Sequence, residues 1–301
     1  MNKQIFWIAS YPKSGNTLLR SILISLFFTK DGNFLLEESN KIGQFDTTNH
    51  VLRNRNVFGD DYYRLKDISV FYKYMDVLQS KEALSFKQDF IFLKTHSGLF
   101  EVGGNPFTKA RNTRGIIYII RDPRDICISY SKHSGVSIDE TIEFMTNDIA
   151  NGFWMEPKKI DKIFSDSQRP LSFMSSWDKH VLSWISINWN VPKLILKYED
   201  LVYEKKENLN NIIKFYEDNY NFSFQNKKEK INNIMKSTAF DKLKKEEEEK
   251  GFSEATKNSR FFSKGEKEQW LNKLSNKQIS KIEKKFSFVM KKFNYKLSSE
   301  Y

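Results

Sequence analysis

Short apolar runs alternate along the chain with longer polar-rich stretches, the pattern of buried strands separated by helices. Residues 5–9 form an almost wholly apolar strand candidate. After a tight loop, residues 17–28 carry leucine, isoleucine and phenylalanine densely enough for a buried helix. Three further apolar runs, at 90–93, 115–120 and 193–196, are predicted strands, and they lead directly into KTHS, RDPRD and KYEDL. Helices are expected over 176–189 and 209–216. From residue 272 onward, isoleucine, phenylalanine and tyrosine recur among lysines, as in an amphipathic terminal helix docked on the body. Strands that end in polar chemistry and feed helices describe an α/β protein with a parallel sheet.

Composition narrows this picture. The 301 residues contain no Pro/Gly/Ser-rich linker, so one domain over 1–301 is expected. The 26 Phe, 13 Tyr and 6 Trp argue against disorder. A formal charge of +11 suits an anionic partner. Much of that charge is lysine on polar helices such as 227–250, read as solvated faces, and no zinc-finger spacing or arginine-rich arm appears. Nucleic acid is therefore not an expected partner. A single cysteine, Cys127 in ICISY, rules out an intrachain disulfide framework and fits a reducing compartment. Four scattered histidines give no familiar zinc pattern, and no catalytic metal is expected. Residues 18–28 are only half a membrane span, so a cytoplasmic protein is expected, with surface attachment to a membrane left open. Oligomeric state is not legible.

The loop between the first strand and helix reads SYPKSGNTLLR. Pro12 restrains the chain, and Gly15 permits backbone angles that larger residues resist. A helix that follows at once points its free N–H groups back into the loop, a good nest for phosphate. Lys13 adds a mobile positive charge and Thr17 a hydroxyl donor; an ordinary loop is the alternative. The lysine precedes the glycine, so this is not the full nucleotide-triphosphatase loop, and a metal-bound triphosphate fits less well.

Two more sites carry chemistry. In YIIRDPRDICISYS, Arg121 stands where a strand should end and Ser129 lies further along a helix; a guanidinium fork and a hydroxyl can grip another phosphate. Asp122 and Asp125 are helix-cap or Arg124-pairing candidates, and a purely structural arginine–aspartate cluster stays open. In FLKTHSG, His96 has the near-neutral pKa suited to taking a proton from an acceptor hydroxyl, with Lys94 placed to steady negative charge. A structural histidine is the alternative there.

Together these stretches resemble the sulfotransferase family that uses 3′-phosphoadenosine 5′-phosphosulfate (PAPS). YPKSGNT resembles the family's 5′-phosphosulfate loop, with Lys13, Ser14, Gly15 and Thr17 in register and Asn16 where cytosolic members usually have threonine. Leu18 takes the place of a tryptophan that stacks near adenine in many members. IIRDPRDICIS is similar to the 3′-phosphate motif through Arg121 and Ser129. KTH matches the segment that bears the catalytic base, and LILKYEDL resembles the strand before the YED signature, bringing Tyr198 toward the cofactor with Glu199 and Asp200 as anchors. STAF resembles the segment that meets the nucleotide through Thr238 and Phe240. RFFSKGEKEQW resembles an altered RKGxxGxW element that retains Lys264, Gly265 and Trp270; Ser263 stands where the arginine is expected and Glu268 where the second glycine is, with Arg260 nearby.

The resemblance implies an α/β, three-layer sulfotransferase fold with a central parallel sheet and a P-loop-like phosphosulfate-binding loop. It implies sulfuryl transfer from PAPS to an acceptor hydroxyl, releasing adenosine 3′,5′-bisphosphate (PAP), with catalytic roles for His96, Lys13 and Lys94. A hydroxylated small metabolite, glycan or glycolipid is the expected acceptor. Segment 33–88 is a candidate acceptor pocket, 134–171 a candidate lid and 236–270 a candidate cofactor cover; Tyr130, Trp154 and Trp177 are candidate acceptor contacts. A small-molecule kinase with a P-loop-like nucleotide site is the competing reading.

Overall fold

The computed structural model describes residues 4–65, 67–149, 172–252, 254–255, 262 and 265–301. Along the chain run strand β1 (Ile5–Ser10), helix α1 (Asn16–Phe28), strands β2 (Ile91–Thr95) and β3 (Thr113–Ile120), and helices α2 (Pro123–Ser134), α3 (Ile138–Thr146) and α4 (Trp177–Ile185). Strand β4 (Lys193–Lys197) follows, then helices α5 (Tyr198–Tyr203), α6 (Lys205–Tyr220), α7 (Lys227–Ser237), α8 (Phe240–Lys250) and α9 (Asn276–Lys292).

The four strands form a parallel sheet in the order β2-β1-β3-β4. β1 and β2 are in register from Ile5 opposite Ile91 to Ala9 opposite Thr95. Every residue of β1 is buried, as its apolar run demands for a central parallel strand. Because β1 has a neighbour on each side, the loop at its carboxyl end opens at the switch point where α/β sheets take ligands.

The chain folds as two compact units. The first comprises Met1–Tyr11, Gln44–Tyr118 and Phe144–Lys193. Its core is aromatic: Trp7 packs edge-on to Phe45 at 5.4 Å between ring centroids and lies 5.2 Å from Phe107. Helix α4 ends at Ile185 rather than continuing to residue 189, and the carbonyls left open at Trp184 and Ile185 accept from the Lys193 ammonium at 3.3 and 2.5 Å. The second unit comprises Pro12–Gly43, Ile119–Glu143 and Leu194–Tyr301. Here Phe27 of α1 meets Tyr216, Phe222 and Phe224 at 4.7, 5.2 and 5.3 Å.

Two serines inside the apolar α1 are satisfied locally. Ser21 and Ser25 donate to the carbonyls of Thr17 and Ser21 at 2.9 and 2.8 Å, which lets polar residues lie buried in this helix. Among the described residues no helix is long and apolar enough to cross a membrane. Segment 33–88 divides between the units at Gly43 and is built of short helical turns that bury Tyr62, Phe71 and Tyr72 and expose Tyr63. Of segment 134–171, residues 134–149 are described and contain α3; Trp154 lies outside the described residues. Trp177 is a fully buried core side chain of the first unit.

Candidate active site

Tyr11 to Gly15 carry the chain from the end of β1 into α1. Lys13 takes a left-handed φ of 65°, unusual for a residue with a side chain. Gly15 is the N-cap of α1 at φ 96°, and a Cβ there would fall 2.3 Å from Cδ2 of Tyr198. Glycine is thus required for conformation and for space. Gly15 has no side chain with which to cap α1, and the helix opens directly from the loop.

Arg121, the residue after β3, closes this arrangement. Its Nη1 donates to the Lys13 carbonyl at 3.0 Å, and its guanidinium carbon lies 4.2 Å from the centroid of the Tyr198 ring. Lys13, Gly15, Arg121 and Tyr198 are therefore brought together. Ser14 Oγ and Arg121 Nε are buried donors with no hydrogen-bond partner among the described residues. Such atoms are costly unless something supplies acceptors, and the phosphate oxygens of a doubly phosphorylated ligand fit that need. Asn16 and Thr17 are the first two residues of α1 and are buried; Thr17 Oγ1 donates to Glu254 Oε2 at 2.8 Å. Ser129 lies two turns into α2 and is half-buried.

The RDPRD stretch divides its work. Asp122 caps α2 by accepting from the Arg124 backbone N–H at 2.9 Å, and its carboxylate also takes Arg124 Nε and Nη2 at 3.0 and 2.7 Å. Arg124 Nη1 reaches Glu283 at 2.6 Å, and its guanidinium carbon lies 3.6 Å from the Trp270 ring centroid. Asp125 accepts from the backbone N–H groups of Glu268 and Trp270 at 2.8 and 3.1 Å, tying the KGEKEQW element to α2. Burial pushes the Asp125 carboxyl up to about 6, with neighbouring Asp122 adding and Arg121 opposing. Glu199 anchors as expected, accepting from Asp122 N–H at 3.0 Å and from the Tyr295 hydroxyl at 2.9 Å.

Further along the second unit, Gly265 lies against Phe240: a Cβ on this glycine would meet Cδ2 of that ring at 2.9 Å. Thr238 is fully buried, its hydroxyl donating to the Ile234 carbonyl at 2.7 Å. Lys205 Nζ donates to the Thr238 carbonyl and hydroxyl at 2.6 and 3.0 Å, and burial lowers its ammonium to about 8. The Thr238 hydroxyl is thus engaged inside the unit. Lys264, Arg260 and Ser263 lie outside the described residues.

In the first unit, His96 follows the end of β2 and is half-buried, while Lys94 lies buried within the strand opposite Ile8. His96 Nδ1 is 2.8 Å from the Ser10 carbonyl. A carbonyl only accepts, so Nδ1 carries a proton, and in the neutral ring the lone pair that a general base needs then lies on Nε2. The residues on either side of His96 are fixed by one buried carboxylate. Asp46 Oδ2 accepts from Thr95 Oγ1 at 2.9 Å, Ser97 Oγ at 2.6 Å and Ser172 Oγ at 2.7 Å. On the other side, His180 Nε2 is 3.0 Å from the His96 carbonyl and Nδ1 is 2.9 Å from the Tyr118 hydroxyl. Burial holds His180 at about 3, hence neutral, with Nε2–H as donor and Nδ1 as acceptor.

The sequence reading did not find Asp46, Lys205, or the pairing of Arg20 with Glu254. For Arg20 a signal existed: an arginine amid the leucines and isoleucines of a buried helix needs a partner. Among the described residues no group of three or more His, Cys, Asp and Glu side chains is arranged to hold a metal ion.

A parallel sheet with such a loop after its inner strand defines an α/β protein with an anion-nest geometry. The family follows from comparison. Residues 3–294 match the model of the sulfotransferase domain, so the chain belongs to the sulfotransferase family and is a sulfuryl-transferring enzyme. Among solved structures it resembles mouse sulfotransferase SULT7A1 complexed with PAP, at 19% identity and a TM-score of 0.57, covering 96% of this chain and 86% of that one. It also resembles retinol dehydratase in two complexes, one with androsterone and inactive cofactor PAP and one with retinol and PAP. Each is 16% identical with a TM-score of 0.59, covering 97% of this chain and 82% of that one. These identities carry the fold alone. Comparison with curated proteins gave no match.

Proposed function

We propose that the protein transfers a sulfuryl group from PAPS to the hydroxyl of a small metabolite, glycan or glycolipid acceptor and releases PAP. The observation that carries this reading is the pair of buried, unpartnered donors, Ser14 Oγ in the stretch that resembles the family's phosphosulfate loop and Arg121 Nε in the one that resembles its 3′-phosphate motif. PAP in the neighbouring structures supports the cofactor, and retinol or androsterone beside it supports a small-molecule acceptor.

Bound PAPS supplies an activated sulfuryl group on a phosphate leaving group. The acceptor oxygen forms the new bond to sulfur as the bond to the bridging oxygen breaks. His96 Nε2 takes the hydroxyl proton, its ring oriented by the Nδ1–H bond to Ser10. Lys13 and the N–H groups opening α1 neutralise the charge that grows on the departing 5′-phosphate, and Lys94 opposes charge on the transferring group. Arg121, Ser129 and Lys264 hold the 3′-phosphate, with Ser14, Asn16 and Thr17 around the 5′-phosphate. Tyr198 supports Arg121 from beneath, and Phe240 and Gly265 form the adenine side, with the buried Thr238 held by Ile234 and Lys205.

The test is incubation with PAPS and a panel of hydroxylated acceptors, measuring PAP and sulfated product. Equimolar formation of both is expected. Turnover of magnesium-ATP with no binding of PAP would assign the site to a small-molecule kinase instead.

A further inference from the structure

Arg20 stands in the second turn of α1, three residues after Thr17 and on the same helix face. It is only 3% exposed, in a helix whose sequence is rich in leucine and isoleucine. Its Nη2 donates to the Ser39 carbonyl at 2.9 Å, its Nη1 to Glu254 Oε1 at 2.6 Å, and its Nε has no partner among the described residues. The second oxygen of the same carboxylate, Glu254 Oε2, accepts from Thr17 Oγ1 at 2.8 Å. One carboxylate therefore bridges a guanidinium and the hydroxyl that belongs to the anion loop.

Carboxylate and phosphate oxygens are both suited to arginine's parallel donors, so donors spanned by one can be spanned by the other. The two anions cannot share the place, because Thr17 has a single proton to donate and like charges at contact repel. The exchange favours phosphate. The Glu254 side chain is 25% exposed and can return to water, whereas that of Arg20 is 4% exposed and must keep an anion beside it. The N-terminus of α1 adds its partial positive charge to whatever anion sits there.

We infer that Thr17 and Arg20 together form a clamp for the nucleotide's 5′-phosphate, and that Glu254 is an internal anion occupying this clamp until the nucleotide displaces it. This rests on the proposed function and adds a nucleotide ligand, Arg20, that the loop motif does not contain.

The test is calorimetric titration of the intact protein with PAP, adenosine 5′-monophosphate and adenosine 3′-monophosphate. The proteins compared are wild type, Glu254→Gln, Arg20→Gln and the double variant. Removing the competing carboxylate is expected to tighten PAP binding several-fold. Removing the guanidinium is expected to weaken PAP and the 5′-monophosphate by roughly ten-fold, leaving the 3′-monophosphate unchanged. The same roughly ten-fold loss persists when Arg20→Gln is made in the Glu254→Gln background. If Glu254→Gln binds PAP no more tightly than wild type, or if Arg20→Gln costs nothing once Glu254 is neutral, Arg20 serves only to pin the chain and the clamp is refuted. Should Arg20→Gln fail to fold, Glu254→Gln, altered at a partly exposed site, decides alone. A wild type that binds none of the three nucleotides removes the proposed function and the clamp with it; PAP binding that ignores Glu254→Gln removes the clamp alone.

Discussion

Asp46 Oδ2 accepts a 2.6 Å hydrogen bond from Ser97 Oγ, and through it the backbone beside His96 is held from within the first unit. The same oxygen takes Thr95 on the other side of His96. Asp46→Asn keeps one acceptor oxygen but loses the charge that strengthens three hydroxyl contacts. It is expected to lower kcat while leaving PAP affinity unchanged, because the nucleotide loop belongs to the other unit. Asp46→Ala leaves three buried hydroxyls unpaired and should cost about 3 kcal/mol of stability in denaturant titration. Equal loss of PAP binding and turnover in a folded Asp46→Asn protein would remove the positioning role.

Gly15 is bounded by the ring of Tyr198. Gly15→Ala pairs a strained φ with a methyl inside that ring's van der Waals surface, and should cost about 2 kcal/mol or more together with most PAP affinity. A second change, Tyr198→Ala, removes the clash and is expected to restore part of the melting temperature, though not the strain. No recovery in the double variant would mean that the ring is not what excludes the side chain.

The two arginines of RDPRD have different jobs, and substitution separates them. Arg124 neutralises Asp122 and Glu283 in the interior, so Arg124→Met strands two buried carboxylates and should destabilise by about 3–5 kcal/mol. Arg121 keeps Nε unpaired among the described residues, so Arg121→Lys should change the melting temperature little and weaken PAP binding by roughly ten-fold. Calorimetric binding beside thermal melting distinguishes them; a reversed pattern would exchange the assignments.

Asp125 makes stability pH-dependent. Burial raises its carboxyl to about 6 in the folded protein, above the unfolded value of about 4. The folded state then binds more protons between those values. Its contribution to stability is fully present below about pH 4 and is lost as pH rises through about 6. Wild type measured against Asp125→Asn should therefore gain stability as pH falls from 7 to 4. A flat difference, or one that grows toward pH 7, contradicts the raised value.

Much of the fold is legible in the sequence because its signals are local. The unbroken apolar run of β1, Pro12 and Gly15 as punctuation, and the leucine-rich α1 place the loop to within a residue. The partnerships are not legible, because they join distant positions: Arg124 to Glu283 across 159 residues, Arg20 to Glu254 across 234, and Ser172 to Asp46 across 126. Periodicity says that Arg20 is buried; only the fold says with what. Thr238 shows the reverse limit, since the motif offers its hydroxyl to a nucleotide while the helix end has engaged it through Ile234. The end of α4 is satisfied by Lys193, eight residues past Ile185 and invisible to helical periodicity.

The most direct measurement compares His96→Asn with wild type, using PAP affinity and single-turnover sulfuryl transfer on the same preparations. PAP should bind the variant as tightly as wild type while transfer falls by roughly a hundred-fold or more, the usual worth of a positioned general base. Transfer at the wild-type rate by a folded, PAP-binding variant would contradict the assignment of His96 and the mechanism built on it.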